Sequence, residues 1–146
     1  MTNKIVLASK SGVRKEILMK NGINCEVIPS NVDEDMVKES LLKENATPEI
    51  ISKNLAELKA NKVSALNYND LVLVADSVID LDGKLISKPI NREEALDILK
   101  RLNGQKHKLI SSVCISKNGY MIWNFTDAST LTMKKLNLDE IKSYLT

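Results

Sequence analysis

The stretch Leu71 to Pro89, LVLVADSVIDLDGKLISKP, constrains the fold more than any other part of this 146-residue chain. It opens on five consecutive apolar residues, Leu71-Val72-Leu73-Val74-Ala75, which read as a strand buried on both faces, as at the centre of an α/β sheet. The run stops at Asp76, putting a carboxylate where the strand meets its loop. Ligands of open α/β sheets bind at that edge, beyond the carboxyl ends of the strands. Val78-Ile79 and Lys84-Leu85-Ile86 then flank Asp82-Gly83, a strong hairpin signal because both turn residues tolerate positive φ. Pro89 ends the second arm. A hairpin folded in this way returns Lys88 toward the level of Asp76. An acid and a base on facing elements suggest phosphate chemistry.

The flanking chain supplies the layers. Lys4 to Ser9 predicts a short strand, and Ser11 a cap for a helix whose Ile17 and Leu18 face inward and whose left-handed stop is Lys20-Asn21-Gly22. A strand, a turn with Ser and Gly and a helix N-terminus can bind an anion through backbone N–H groups. Arg14, Lys10 and Lys15 add positive charge, although neither the P-loop pattern nor GxGxxG is present. The same residues also suit an ordinary first βα unit with a solvated basic face. Ile23 to Pro29 predicts a second strand. Asn31-Val32-Asp33-Glu34-Asp35 reads as an acidic loop, either solvated or folded over the strand ends to offer a hard-cation ligand beside Asp76.

Thr47-Pro48 starts a long helix, with Thr as cap and Pro at its first position. Ile51, Leu55, Leu58 and Lys62 share one face, extended by Val63 and Leu66. Lys59 borders this stripe, and nothing local singles it out. Asn91, with Glu94 three residues on, caps a helix whose apolar side is Ala95, Ile98, Leu99 and Leu102, and Asn103-Gly104 ends it. His107 to Lys117 is a strand, turned by Asn118-Gly119 into a partner from Tyr120 to Lys135. Asn137 and Glu140 cap a final helix over Leu138 to Leu145. The order β-α-β-α-β-β-α-β-β-α predicts one α/β domain over residues 1–146, a mixed twisted sheet flanked by helices.

Composition narrows the function classes. A net charge of +2 lacks the strong clustered basic footprint of nucleic-acid binders, and 3% aromatic content leaves almost no base-stacking platform. No stretch is long and apolar enough for a membrane span, and MTNKIVLASK is too short an apolar run for a signal peptide. Cys25 and Cys114 sit in strand-like runs without CxxC spacing, which predicts buried free thiols and a cytoplasmic setting. With His107 the only histidine, any metal should be held by oxygens, hence Mg²⁺ or Mn²⁺. Asp80-Leu81-Asp82-Gly83 offers an alternative. DxDG after an apolar strand resembles the nucleophile motif of haloacid-dehalogenase-like phosphatases, although Lys84 stands where that family has Thr or Val.

Taken in order, the chain resembles the Maf family of nucleoside triphosphate pyrophosphatases. Leu7-Ala8-Ser9-Lys10-Ser11-Gly12-Val13-Arg14-Lys15 is similar to the family's LASxSPRR segment and Val32-Asp33-Glu34 to its DE loop. Leu55-Ala56-Glu57-Leu58-Lys59-Ala60 is similar to its LAxxKA helix and Ala75-Asp76-Ser77-Val78 to ADTVV. Asp82-Gly83 through Ser87-Lys88-Pro89 resembles DGxxxGKP, and Leu102-Asn103-Gly104 with His107 resembles LSGxxH. Gly12-Val13 replaces the usual Pro-Arg, and Ser87 and Ser77 replace a glycine and a threonine. The chain stops at Thr146, just after a segment similar to LSxxEIxxYL, where family members usually continue with a Gly-rich stretch. A sheet edge or core face is therefore expected to be exposed, for a second subunit to cover in a homodimer.

The resemblance implies an inosine triphosphate pyrophosphatase-like fold and hydrolysis of a nucleoside triphosphate to its monophosphate and pyrophosphate with a divalent cation, Mg²⁺ or Mn²⁺. It implies that Asp76 acts as general base or metal-bound carboxylate, with Lys59 and Lys88 in catalysis and Glu34 sharing the metal. Ser9, Ser11 and Arg14 would hold phosphate oxygens. Ser77 stands closer to the threonine of dTTP/UTP pyrophosphatases than to the glutamine of the 7-methyl-GTP branch, so a pyrimidine or modified substrate is expected. The alternatives are a nucleotide-binding module that has lost catalysis and the dehalogenase-like phosphatase using Asp80.

Overall fold

The structure, a computed structural model, describes residues 4–9 and 12–145. Its centre is the predicted apolar strand, β3 (Leu71–Leu81), in a mixed sheet with β1 (Ile5–Leu7), β2 (Glu26–Val27), β4 (Lys84–Ile86), β5 (Lys106–Lys117) and β6 (Tyr120–Thr132). The strands lie in the order β2-β1-β3-β5-β6, with β4 also paired to β3. β1 is parallel to β2 and β3, while β4, β5 and β6 run antiparallel to their neighbours. The helices are α1 (Gly12–Lys20), α2 (Glu34–Lys43), α3 (Pro48–Leu66), α4 (Arg92–Leu102) and α5 (Leu138–Tyr144). The mixed sheet flanked by helices is the fold expected from the sequence.

Turns and caps follow local chemistry. Asp82 and Gly83 both take positive φ (50° and 85°), as do Asn118 and Gly119 (52° and 91°), so both hairpins close through left-handed pairs whose twist matches the strands. Thr47 Oγ1 accepts the Ile50 N–H and Asn91 Oδ1 the Glu94 N–H. Asn137 and Glu140 form the full reciprocal box at α5. Gly22 ends α1 at φ 76°.

Several expectations change. The segment beginning at Glu34 is a helix, not an acidic loop: Asp33 Oδ1 accepts the Met36 N–H, and Glu34 and Asp35 in the first turn complement the helix dipole. The buried face of α3 is Ile51-Ser52, Leu55-Ala56, Ala60 and Val63-Ser64, while Leu58 and Leu66 point to solvent. In α1, Ile17 is exposed and Leu18 only half-buried. β3 does not stop at Asp76 but continues five residues to Leu81. It is also covered unequally, with Val72, Val74, Asp76 and Val78 buried beneath α3 and Leu71, Leu73 and Ala75 half-buried on the other side. Cys114 is buried and Cys25 only half-buried, both as free thiols. Burial pushes the Cys114 thiol up to about 11, with the Glu57 charge adding to it, so it stays protonated at neutral pH.

Candidate active site at a gap in the sheet

The edge of β3 that faces β1 and β4 is paired discontinuously. β1 pairs with Leu71–Leu73, and β4 pairs with Ile79–Leu81. Residues 74–78 between them have no strand partner on that side, so the sheet has a notch where the sequence suggested a strand end. Asp76 sits in the middle of this gap. Its carboxylate points to the α3 side, because alternation along the strand puts it on the same face as Val74 and Val78.

α3 supplies the opposing charge. Small residues on its buried face, Ser52, Ala56, Ala60 and Ser64, let the helix lie close to β3 and β5. Ser52 Oγ donates to the Asp76 main-chain carbonyl at 3.1 Å. Lys59, on the same side of the helix, ion-pairs with Glu34 and donates to Asp76 Oδ1 at 3.2 Å. A lysine bordering an apolar stripe ordinarily snorkels to water. Here the ammonium is held inward between two carboxylates, its side chain only 14% exposed.

The two acids respond differently. Burial raises the Asp76 carboxyl above its ordinary value and the Glu34 charge adds to that, while Lys59 only partly offsets it. Burial also pushes Glu34 upward, but the Lys59 hydrogen bond and charge, with Lys38 and Lys88 behind them, bring it below its ordinary value. Glu34 is the more exposed of the two, so the neighbouring cations prevail there. Asp76 Oδ2 is buried with no hydrogen-bond partner.

Over this cluster opens a cavity of about 600 Å³ lined by Ser9, Arg14, Glu34, Lys59, Ala75 and Lys88, with residues 30–33 forming one wall. Asp76 lies beneath Lys59 rather than in the lining. Arg14 Nη1 donates to Ser9 Oγ at 3.2 Å, joining the end of β1 to the first turn of α1. Lys88 reaches the cavity because the hairpin returns β4 along β3. Asp76, Lys59, Glu34, Lys88, Ser9 and Arg14 are therefore gathered at one place; Ser11 lies outside the described residues.

Asp80 is elsewhere. Its Oδ1 accepts the Gly83 N–H at 2.7 Å, and the residue lines a different cavity. Its carboxylate closes the hairpin, apart from the cationic cavity, so it is not placed as a phosphatase nucleophile there. Ser77 is on the face opposite Asp76 and shares a 2.8 Å hydrogen bond with Ser111. Sequence reasoning missed Ser30 and the orientation of Asn31; the cap at Asp33, which starts α2 and fixes this wall, was the available signal.

The donor set is all oxygen, with a buried, unpartnered carboxylate oxygen beside a second carboxylate. Among the described residues no group of three His, Cys, Asp or Glu is assembled. Two carboxylates suit a Mg²⁺-like ion that completes its shell with phosphate oxygens and water, and do not suit a metal held by protein alone.

Fold and site together define an α/β protein with a mixed sheet and a phosphate-compatible cleft at a break in strand pairing. The chain belongs to the Maf family: the family model for Maf-like proteins matches residues 4–146. It is 66% identical over 145 residues to a nucleoside triphosphate pyrophosphatase of Pelagibacter ubique (strain HTCC1062), covering 99% of this chain and 74% of that one. A protein of the same description from Ruegeria pomeroyi is 37% identical over 145 residues, covering 99% and 73%. Among solved structures, a HAM1 protein from Coxiella burnetii superposes with a TM-score of 0.51 at 14% identity, over 88% of this chain and 71% of that one, a likeness of fold alone. Among the described residues no helix is long and apolar enough to cross a membrane.

Proposed function

We propose that the protein hydrolyses a nucleoside triphosphate, of the pyrimidine or modified class, to its monophosphate and pyrophosphate with the help of Mg²⁺ or Mn²⁺. The observation that carries this reading is the Glu34–Lys59–Asp76 cluster beneath a cavity that also presents Arg14 and Lys88. The names of the relatives point to the same reaction.

Asp76, its affinity for a proton raised by burial, accepts one from an attacking water. The new bond joins the water oxygen to phosphorus, and the bond that breaks is the bridging P–O bond between the α and β phosphates. Its electron pair leaves with pyrophosphate, and the proton is released to solvent when Asp76 ionises again. Arg14, Lys59 and Lys88 neutralise charge on the phosphate oxygens, and this positioning accounts for most of the catalysis in phosphoryl chemistry. Glu34 and Asp76 would hold the cation, which when bound supplies further charge neutralisation on the phosphates.

The reading of a binding module without turnover draws on Val13, which is 65% exposed and brings no cation to the site. The two readings separate in one assay. The full chain is incubated with a panel of nucleoside triphosphates and Mg²⁺, Mn²⁺ or a chelator, and pyrophosphate and orthophosphate are assayed separately. Metal-dependent pyrophosphate with a matching monophosphate is expected; nucleotide binding without release of either would support the module.

A further inference from the structure

The wall of the cavity formed by residues 30–33 is held to α3 by a residue that the reaction above does not use. Lys62 Nζ donates to the Asn31 main-chain carbonyl at 2.9 Å. Asn31 is in the left-handed region at φ 53°, which asparagine adopts more readily than other non-glycine residues. Two positions later Asp33 caps α2, and Glu34 follows in its first turn. The direction in which Glu34 enters the site is therefore set by the path of the chain through Asn31.

Lys59 and Lys62 lie three residues apart on one side of α3, and both hold this segment. Their roles differ. The Lys59 link runs through the Glu34 side chain, and on the proposed reading a cation and phosphate oxygens compete for both groups. The Lys62 link runs to main chain and is untouched by that competition. It lies at the solvent-exposed edge, away from Asp76.

We infer that Lys62 is a positioning residue, a latch that keeps the Asn31 turn and hence Glu34 facing Asp76 when substrate and cation draw Lys59 and Glu34 apart. This deepens the proposed function and rests on it for its catalytic consequence, but the latch itself can be measured without turnover.

The test compares Lys62→Met, which keeps the side-chain length without a donor, with Lys62→Arg, which keeps a donor, in the full chain. Amide hydrogen exchange over residues 30–35 is expected to speed up about threefold to tenfold in Lys62→Met, as for loss of one charge-assisted hydrogen bond at an exposed site, and to stay near wild type in Lys62→Arg. Exchange in the buried turns of α3 should not change. With a nucleotide that the wild type hydrolyses, KM should rise by a similar factor with kcat within about twofold, and Lys62→Arg should restore it. As a second route to the same wall, Asn31→Ala should raise KM by disfavouring the left-handed turn, whereas Asn31→Gly should not. Wild-type exchange over residues 30–35 in Lys62→Met overturns the inference, and so does faster exchange with an unchanged KM. If the wild type releases no pyrophosphate at all, the proposed function fails while the exchange comparison still decides the latch.

Discussion

At the scale of the residue, the site depends on keeping a carboxylate where water has been largely removed. Because burial holds the folded Asp76 pKa above its unfolded value, the unfolded chain ionises first as pH rises. Stability is then lost between the unfolded and folded pKa values, and the ionised carboxylate remains a net cost at neutral pH. Asp76→Asn is therefore expected to unfold at pH 7 at a denaturant midpoint no lower than wild type. The difference should disappear below about pH 3.9, where the carboxyl is protonated in both states. A clear loss of stability at pH 7 would show that Lys59 more than repays the burial. In the wild type the acid limb of kcat/KM should lie above the ordinary carboxylate range. Lys59→Met removes the opposing charge and should move that limb to still higher pH while lowering kcat about 10²- to 10³-fold. A limb that stays in place would separate Asp76 from the titration.

At the scale of the element, α3 and the β3–β4 hairpin bring the groups together, and they were legible to different degrees. The hairpin could be read from Asp82-Gly83 alone, because its turn requires two positive φ values and few residue pairs accept them. Its length also brings Lys88 to the cavity, where its charge acts on Glu34. Gly83→Ala should cost about 1–2 kcal/mol in denaturant unfolding through backbone strain, since a Cβ there meets nothing within 4 Å. Gly83→Asn should cost less. Equal costs would point to a steric cause instead. The inward lysine of α3 was not legible from periodicity, which assigned Leu58 to the core and left Lys59 unremarkable. Its burial depends on Asp76 and Glu34, which are distant in sequence, and the Maf-like motif pointed to it where local spacing could not. α2 was hidden because acids that read as a solvated loop are also the residues favoured in a helix's first turn. Asp76 was read as a strand end because the apolar run stops there, but the strand continues through a half-buried segment whose pairing changes from β1 to β4.

At the scale of the whole molecule, the sheet is covered by α3 on one face, while its outer strand β6 presents Trp123 and Phe125, each about half exposed and stacked at 6.4 Å between ring centroids. β6 carries no proline and a single charged residue, Asp127, so few of the usual protections of an edge strand are present. We propose this edge as the contact of the homodimer expected from the sequence. It predicts that Phe125→Lys shifts the mass seen by light scattering toward the monomer at a given concentration and leaves the cavity residues in place. An unchanged mass distribution would remove the edge from the account.

We propose that the gap in β3 pairing is the place of hydrolysis, with Asp76 as its base. The most direct measurement is pyrophosphate release by wild type and Asp76→Asn, side by side, on the nucleoside triphosphate the wild type prefers, with Mg²⁺ or Mn²⁺. A loss of about 10²- to 10⁴-fold in kcat is expected for a variant that remains folded. Pyrophosphate release by Asp76→Asn at the wild-type rate would contradict it and move the chemistry away from the Glu34–Lys59–Asp76 cluster.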